Sequence, residues 1–223
     1  MSQYEREKAL VVAAARRLAA KGFLPATGGN LSVRLDGGRM AVTPSGMDYA
    51  VMESVDVCVL DANLAVVEGE RKPSIESSLH AAVYAARPDV GAVVHTHQTY
   101  VSALAALRKP VPALFDEQVR HLGRRIPLVP YAPSGTGFLR NAVARAVRDG
   151  NNAYILGSHG ALCLGIDMER AEHNAEILEK VAVAYLVALC AEGKARKIPL
   201  LVREIAFTKL KADEAKAAKG GNA

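Results

Sequence analysis

The sequence predicts a single α/β domain whose mixed, partly antiparallel sheet is covered by helices. Three observations predict it: a helix-period segment opens the chain, short strands joined by glycine-rich turns follow, and the remainder alternates helices with strands. Half of the 223 residues are hydrophobic, so a substantial core is available. No internal repeat or long low-complexity block divides the chain. The expectation is one domain over residues 1–223, with a flexible Ala-, Lys- and Gly-rich tail from about residue 210.

Residues 3–21 carry the apolar spacing of an amphipathic helix, and Gly22 ends it. Gly28-Gly29-Asn30 is a turn into the strand Leu31–Leu35. Asp36-Gly37-Gly38 is a hairpin signal, and Met40–Thr43 is the partner strand, closed by the turn Pro44-Ser45-Gly46. Two short strands are expected at 57–60 and 64–67. A helix should follow from about Ile75 to Ala86, with Ser74 as its N-cap and Arg87-Pro88-Asp89 as its stop. The apolar run Gly91–Val94 continues through His95-Thr96-His97 as a buried strand, and a helix runs from about Gln98 to Leu107. The proline-spaced stretch 110–133 reads as irregular, apart from a short strand near Leu128-Val129. Thr136–Arg148 reads as helix. Ala153–Leu156 and Ala161–Leu164 are strands flanking Gly157-Ser158-His159-Gly160. Asp167 caps a long helix from Met168 to about Ala191.

Composition removes several classes of function. The opening segment is charged and lacks the apolar core of a signal peptide, and no run of 18 residues is uniformly apolar, so no membrane contact is expected. Cys58, Cys163 and Cys190 are odd in number and form no CxxC pattern, which suits reduced thiols in a cytoplasmic protein. The net charge is +5, partly from the lysines of the tail. Aromatics are 5% with no Trp, a poor supply for stacking bases. The positive balance therefore reads as a solvated tail and an attraction for small anions, with no nucleic-acid partner.

The densest chemical signal is Glu76, His95, His97 and His159. Residues i and i+2 of a strand point to one face, so His95 and His97 can grip one metal ion. His159, in a turn beside Gly160, and the upstream carboxylate of Glu76 would complete a site for a borderline-soft divalent ion, zinc first, with iron, cobalt or manganese as alternatives. Glu76 reads equally as a surface acid at a helix N-terminus, a ligand or a general base. His80, four residues later on the same helix face, reads as a support for the site or as a packing residue. His121 and His173 lack such company. Three turns, Gly28-Gly29-Asn30, Thr43-Pro44-Ser45-Gly46 and Lys72-Pro73-Ser74, offer N–H groups and hydroxyls suited to a phosphate, although each alone is an ordinary turn.

In order along the chain, Gly29-Asn30-Leu31-Ser32, Val42-Thr43-Pro44-Ser45-Gly46, Lys72-Pro73-Ser74-Ile75-Glu76, Val94-His95-Thr96-His97, Pro130-Tyr131-Ala132 and His159-Gly160 resemble the class II aldolase/adducin family, in particular its fuculose-phosphate aldolase branch. The resemblance covers residues from about 5 to 192. It implies a three-layer α/β/α sandwich with a largely antiparallel central sheet, and a homotetramer with active sites between subunits. It implies a divalent metal, usually zinc, on His95, His97 and His159, with Glu76 as ligand and base. Gly29, Asn30, Thr43, Ser45, Gly46 and Ser74 would form or adjoin the phosphate pocket. The implied activity is retro-aldol cleavage of a small phosphorylated ketose through a metal-stabilised enediolate.

Two positions depart from the pattern. Ile75 stands where the sugar-phosphate aldolases commonly carry a second serine. Asp116 stands where the fuculose-type enzymes carry a tyrosine acid contributed by a neighbouring subunit, and Asp116, Glu117 or His121 is the candidate replacement. The same metal site would also serve a decarboxylase, dehydratase or epimerase of a related sugar or keto acid. A non-catalytic adducin-like scaffold is the reading from a different class.

Overall fold

The computed structural model describes residues 3–191, 193 and 195–220. Helix α1 (Glu5–Ala20) precedes β1 (Asn30–Arg34), β2 (Met40–Val42), β3 (Cys58–Leu60) and β4 (Val66–Glu68). Then come α2 (Ser77–Ala86), β5 (Ala92–Thr96), α3 (Thr99–Ala106), α4 (Asp116–Leu122), β6 (Leu128–Val129) and α5 (Gly137–Ala146). The chain closes with β7 (Ala153–Leu156), β8 (Gly160–Gly165), α6 (Met168–Cys190) and α7 (Leu200–Gly220).

The eight strands form one sheet in the order β4-β3-β2-β1-β5-β8-β7-β6. Every neighbouring pair is antiparallel except β6 and β7. The period-2 alternation of strands divides the core in two. Leu31, Val33, Ala92, Val94, Ala161 and Cys163 face one side and pack with Val11 and Leu18 of α1, Val101 and Leu104 of α3 and Leu178 of α6. Val42, Val93, Tyr154, Leu162 and Leu164 face the other and pack with Leu79 and Val83 of α2 and Leu139 and Val143 of α5. This is the expected three-layer α/β/α sandwich around a largely antiparallel sheet. Both faces of the central strands are covered, which is why they read as continuous apolar runs.

Three expectations need correction. Helix α2 begins at Ser77, two residues after Ile75. The Ser74 hydroxyl accepts from the Glu76 N–H at 3.2 Å, and Ser77 N donates to the Ser74 carbonyl at 3.1 Å, closing a turn ahead of the helix. The stretch 110–133 is not irregular throughout, because α4 lies within it. The Gln118 side chain accepts from Leu114 N at 3.0 Å and donates to the Pro112 carbonyl at 2.8 Å, which ties the proline-rich approach to the helix. The expected flexible tail is helical as far as Gly220, and residues 221–223 lie outside the described residues. Phe207 and Leu210 of α7 are buried with Ala113 and Val119 in a small third cluster, and that apolar contact holds the helix down. By contrast, Asp167 caps α6 as expected, accepting from Arg170 N at 2.7 Å.

Candidate metal centre and active site

Strand β5 places the first ligand candidate. Val93 faces the α2 side of the sheet, so His95, two residues on, faces it too. Antiparallel pairing sets Asn30 of β1 opposite His95 on one flank and Leu162 of β8 opposite it on the other. His97 follows just beyond the strand end. His159 sits in the tight turn between β7 and β8, where Ser158 adopts a positive φ of 52°. Gly160 makes the close approach possible: a Cβ there would lie 2.4 Å from the Thr96 carbonyl oxygen and 2.6 Å from the His97 ring.

The three imidazoles converge. Nε2 of His95 lies 2.9 Å from Nε2 of His97 and 3.2 Å from Nε2 of His159. The ligand atoms of the triad all lie within 4.8 Å of one another. The His95 Nδ1–H donates to the Ala161 carbonyl at 2.7 Å, which leaves the Nε2 lone pair facing the cluster. Burial drives the His95 pKa down to about 4, against the pull of Glu76, and burial followed by repulsion from His159 lowers that of His97. Both rings are therefore neutral at physiological pH. With the His95 Nε2 bare, a neighbouring bare Nε2 this close is repelled unless a cation lies between them. Tetrahedral zinc with bonds of about 2.0–2.1 Å needs ligand atoms about 3.3 Å apart, so the donor set fits such an ion.

Glu76 is the N-cap residue of α2, but its side chain makes no capping hydrogen bond. Its Oε2 lies 3.2 Å from His95 Nε2, and its Oε1 lies 3.5 Å from His159 Nε2. Asn30 Nδ2 donates to Oε2 at 2.8 Å, and the Ser134 hydroxyl donates to Oε1 at 2.7 Å. Burial alone would raise the pKa of this carboxyl. His95 and the hydrogen bonds from Ser134 and Asn30 outweigh it and hold the pKa at about 2. The Asn30 and Ser134 donors, one to each oxygen, favour the charged form of the carboxylate. The site thus presents three converging imidazole Nε2 atoms and one carboxylate.

The candidate phosphate turns are brought together at this end of the sheet. Ser45 N donates to the Lys72 carbonyl at 2.8 Å, and Ser74 N donates to the Thr43 carbonyl at 3.2 Å, joining two of them. Gly29, at φ 77°, lies against β5, where a Cβ would come within 2.6 Å of the His95 carbonyl oxygen. Ser45 and Gly46 are exposed, whereas Ser74 is buried beneath them. Two of the candidate residues are committed elsewhere. Thr43 is fully buried, and its hydroxyl accepts from Leu31 N at 3.2 Å. The Asn30 amide serves Glu76 on one side and His80 on the other.

Asp116 is not brought to the cluster. It is exposed at the start of α4, and among the described residues no hydrogen bond or ion pair joins it to Glu76 or the histidines. His121 and His173 pair with each other instead, at a 5.0 Å ring separation. The sequence reading missed Ser134, which follows Pro133 in a turn with no period or spacing to mark it. It also missed Tyr49, whose hydroxyl donates to the Gly29 carbonyl at 2.6 Å and steadies that turn.

Residues 9–186 match the class II aldolase and adducin N-terminal domain family. A 5-deoxy-D-ribulose 1-phosphate aldolase of Bacillus thuringiensis serovar kurstaki is 34% identical, over 82% of this chain and 84% of its own length. An L-fuculose phosphate aldolase of Haemophilus influenzae is 35% identical, over 82% of each chain. Among solved structures, an L-fuculose 1-phosphate aldolase superimposes with a TM-score of 0.87 at 33% identity, over 95% of this chain and 98% of that one. The chain belongs to the class II aldolase and adducin family.

Proposed function

We propose that this member of the class II aldolase and adducin family is a divalent-metal-dependent lyase that cleaves a small phosphorylated ketose by a retro-aldol reaction. The observation that carries the reading is the convergence of His95, His97 and His159 beside a buried, ionised Glu76. The relatives named as deoxyribulose- and fuculose-phosphate aldolases support the reaction type.

His95, His97 and His159 would hold the ion, zinc before manganese, iron or cobalt, with Glu76 completing the set in the resting site. A bound divalent ion supplies a Lewis acid that polarises a carbonyl and stabilises negative charge on oxygen. Glu76 is the proton carrier. It takes the proton from the hydroxyl of the carbon that becomes the aldehyde. The carbon–carbon bond then breaks, its electron pair passes to the three-carbon fragment, and a proton returned to that carbon gives the ketone phosphate. Asn30 and Ser134 aim the carboxylate. Gly29, Ser45, Gly46 and Ser74 place backbone N–H and hydroxyl groups where a phosphate remote from the reacting bond would orient the substrate. Thr43 supports this loop from beneath.

Asp116 acts, in this reading, from a neighbouring subunit of a homotetramer, which accounts for its distance from the cluster of its own chain. The cytoplasmic assignment rests on three free cysteines, together with the finding that no helix among the described residues is long and apolar enough to cross a membrane. The exposed Ile75, in place of a hydroxyl, favours a substrate whose phosphate is held by fewer side chains.

Elemental analysis of protein purified without added metal should find about one divalent ion per chain. Protein that holds no metal, and takes up none on titration, would sink the reading in favour of a scaffold.

A further inference from the structure

From Glu76 a line of polar side chains runs between β1 and α2: Asn30, His80, Ser32 and Tyr84. Each is buried, His80 and Ser32 completely. His80 Nε2 lies 2.6 Å from Asn30 Oδ1, and His80 Nδ1 lies 2.7 Å from Ser32 Oγ. Ser32 Oγ lies in turn 2.7 Å from the Tyr84 hydroxyl.

The charge at one end dictates the direction of every donor in the line. An ionised Glu76 only accepts, so Asn30 must turn its Nδ2 to it and its Oδ1 to His80. Oδ1 also only accepts, so the His80 proton must sit on Nε2. Nδ1 is then a bare lone pair, and the Ser32 hydroxyl must donate to it. Ser32 is left as acceptor for the Tyr84 hydroxyl. The line closes with no polar atom unmatched and only one arrangement of hydrogens. Burial, and then the neighbouring His95, push the His80 pKa down to about 3, so the ring stays neutral.

We infer that His80 is a positioning residue for Glu76: as the Nε2–H tautomer, fixed by Ser32 and Tyr84, it locks the Asn30 amide so that Nδ2 always faces the carboxylate. A flipped Asn30 would set its oxygen against Glu76, two acceptors at hydrogen-bond distance, and release the carboxylate from its pose. The inference rests on the reading of Glu76 as the proton carrier, and the experiments separate the two.

In ¹⁵N-histidine spectra of the wild-type protein, with His80 assigned by its absence in His80→Gln, we expect an Nε2–H, Nδ1-bare imidazole unchanged from about pH 8 to about pH 5. A proton on Nδ1 overturns the proposal whether or not any variant folds. In kinetics, His80→Leu should lower kcat by about 10–100-fold with KM within about twofold. His80→Gln, whose amide can still donate to Asn30, should recover kcat to within about threefold of wild type. Equal losses in both variants, or a wild-type kcat in His80→Leu, would overturn it. Glu76→Gln is the control: wild-type turnover there removes the proton-carrier reading itself, whereas an inert Glu76→Gln beside an unimpaired His80→Leu removes only the positioning role.

Discussion

At the residue scale the account turns on Glu76, a buried carboxylate held by Asn30 and Ser134 and facing two histidines. Glu76→Gln keeps the shape but removes the proton acceptor, so kcat should fall by about 10²–10⁴-fold, while the melting temperature stays near wild type. Ser134→Ala removes one of the two side-chain donors that hold the Glu76 carboxylate. Turnover should drop about tenfold or more, and steady-state kinetics of the variant checks this. His80 adds a signature in stability. The unfolded chain protonates this ring near pH 6.5, the folded chain only near pH 3. Its contribution is therefore complete above pH 6.5 and is lost as the pH falls, by about 1.4 kcal/mol per pH unit for the one proton. Denaturant titrations of wild type and His80→Gln at pH 7, 6 and 5 should show a steeper acid loss in the wild type. The His-x-His pair was legible because a strand has period two, and Glu76 because of the ordered motif around it. The true employment of Asn30 was not legible. Its two hydrogen bonds cross from β1 to α2 and to the residue before it, and sequence spacing carries no sign of such partners.

At the scale of elements, the site depends on how closely β5, β8 and the β7–β8 turn pack. Gly160 touches no metal, yet a methyl group there would collide with the Thr96 carbonyl and the His97 ring. Gly160→Ala should displace His97 and weaken metal affinity by about 10–100-fold, as read by competition with a chelator. Unchanged affinity would show that the ring is not confined as described. Strands and capped helices were the legible elements: Asp167 caps α6, and the buried strands are apolar runs bounded by glycine turns. Helices α4 and α7 were not, for a shared reason. Apolar residues of α7 are spread around its circumference, and α4 is a seven-residue helix amid prolines. Each is stabilised by the other through Phe207, Leu210, Val119 and Ala113, a contact distant in sequence. Phe207, with the Arg124 guanidinium 3.7 Å above its ring, anchors the pair. Phe207→Ala should cost about 3 kcal/mol and strip hydrogen-exchange protection from α4 before the central sheet.

At the scale of the whole molecule, a largely antiparallel sheet gathers segments from residues 29 to 159 around one end of β5. The convergence of the three histidines and the fold were readable in advance, because the residues that make them are apolar runs, turn glycines and histidines beside glycine turns or at i, i+2 spacing. The substrate half was less so. Thr43 supports a loop instead of lining a pocket, Ile75 replaces a hydroxyl, and Asp116 lies away from the cluster of its own chain. The central claim is metal-dependent carbon–carbon cleavage. Its most direct test is a mass-spectrometric product balance with a panel of ketose 1-phosphates and 3-keto acids, before and after chelation and after metal is restored. Equal amounts of an aldehyde and a three-carbon ketone phosphate are expected, lost with the metal and regained with it. Carbon dioxide without aldehyde, or cleavage indifferent to the chelator, would contradict the claim.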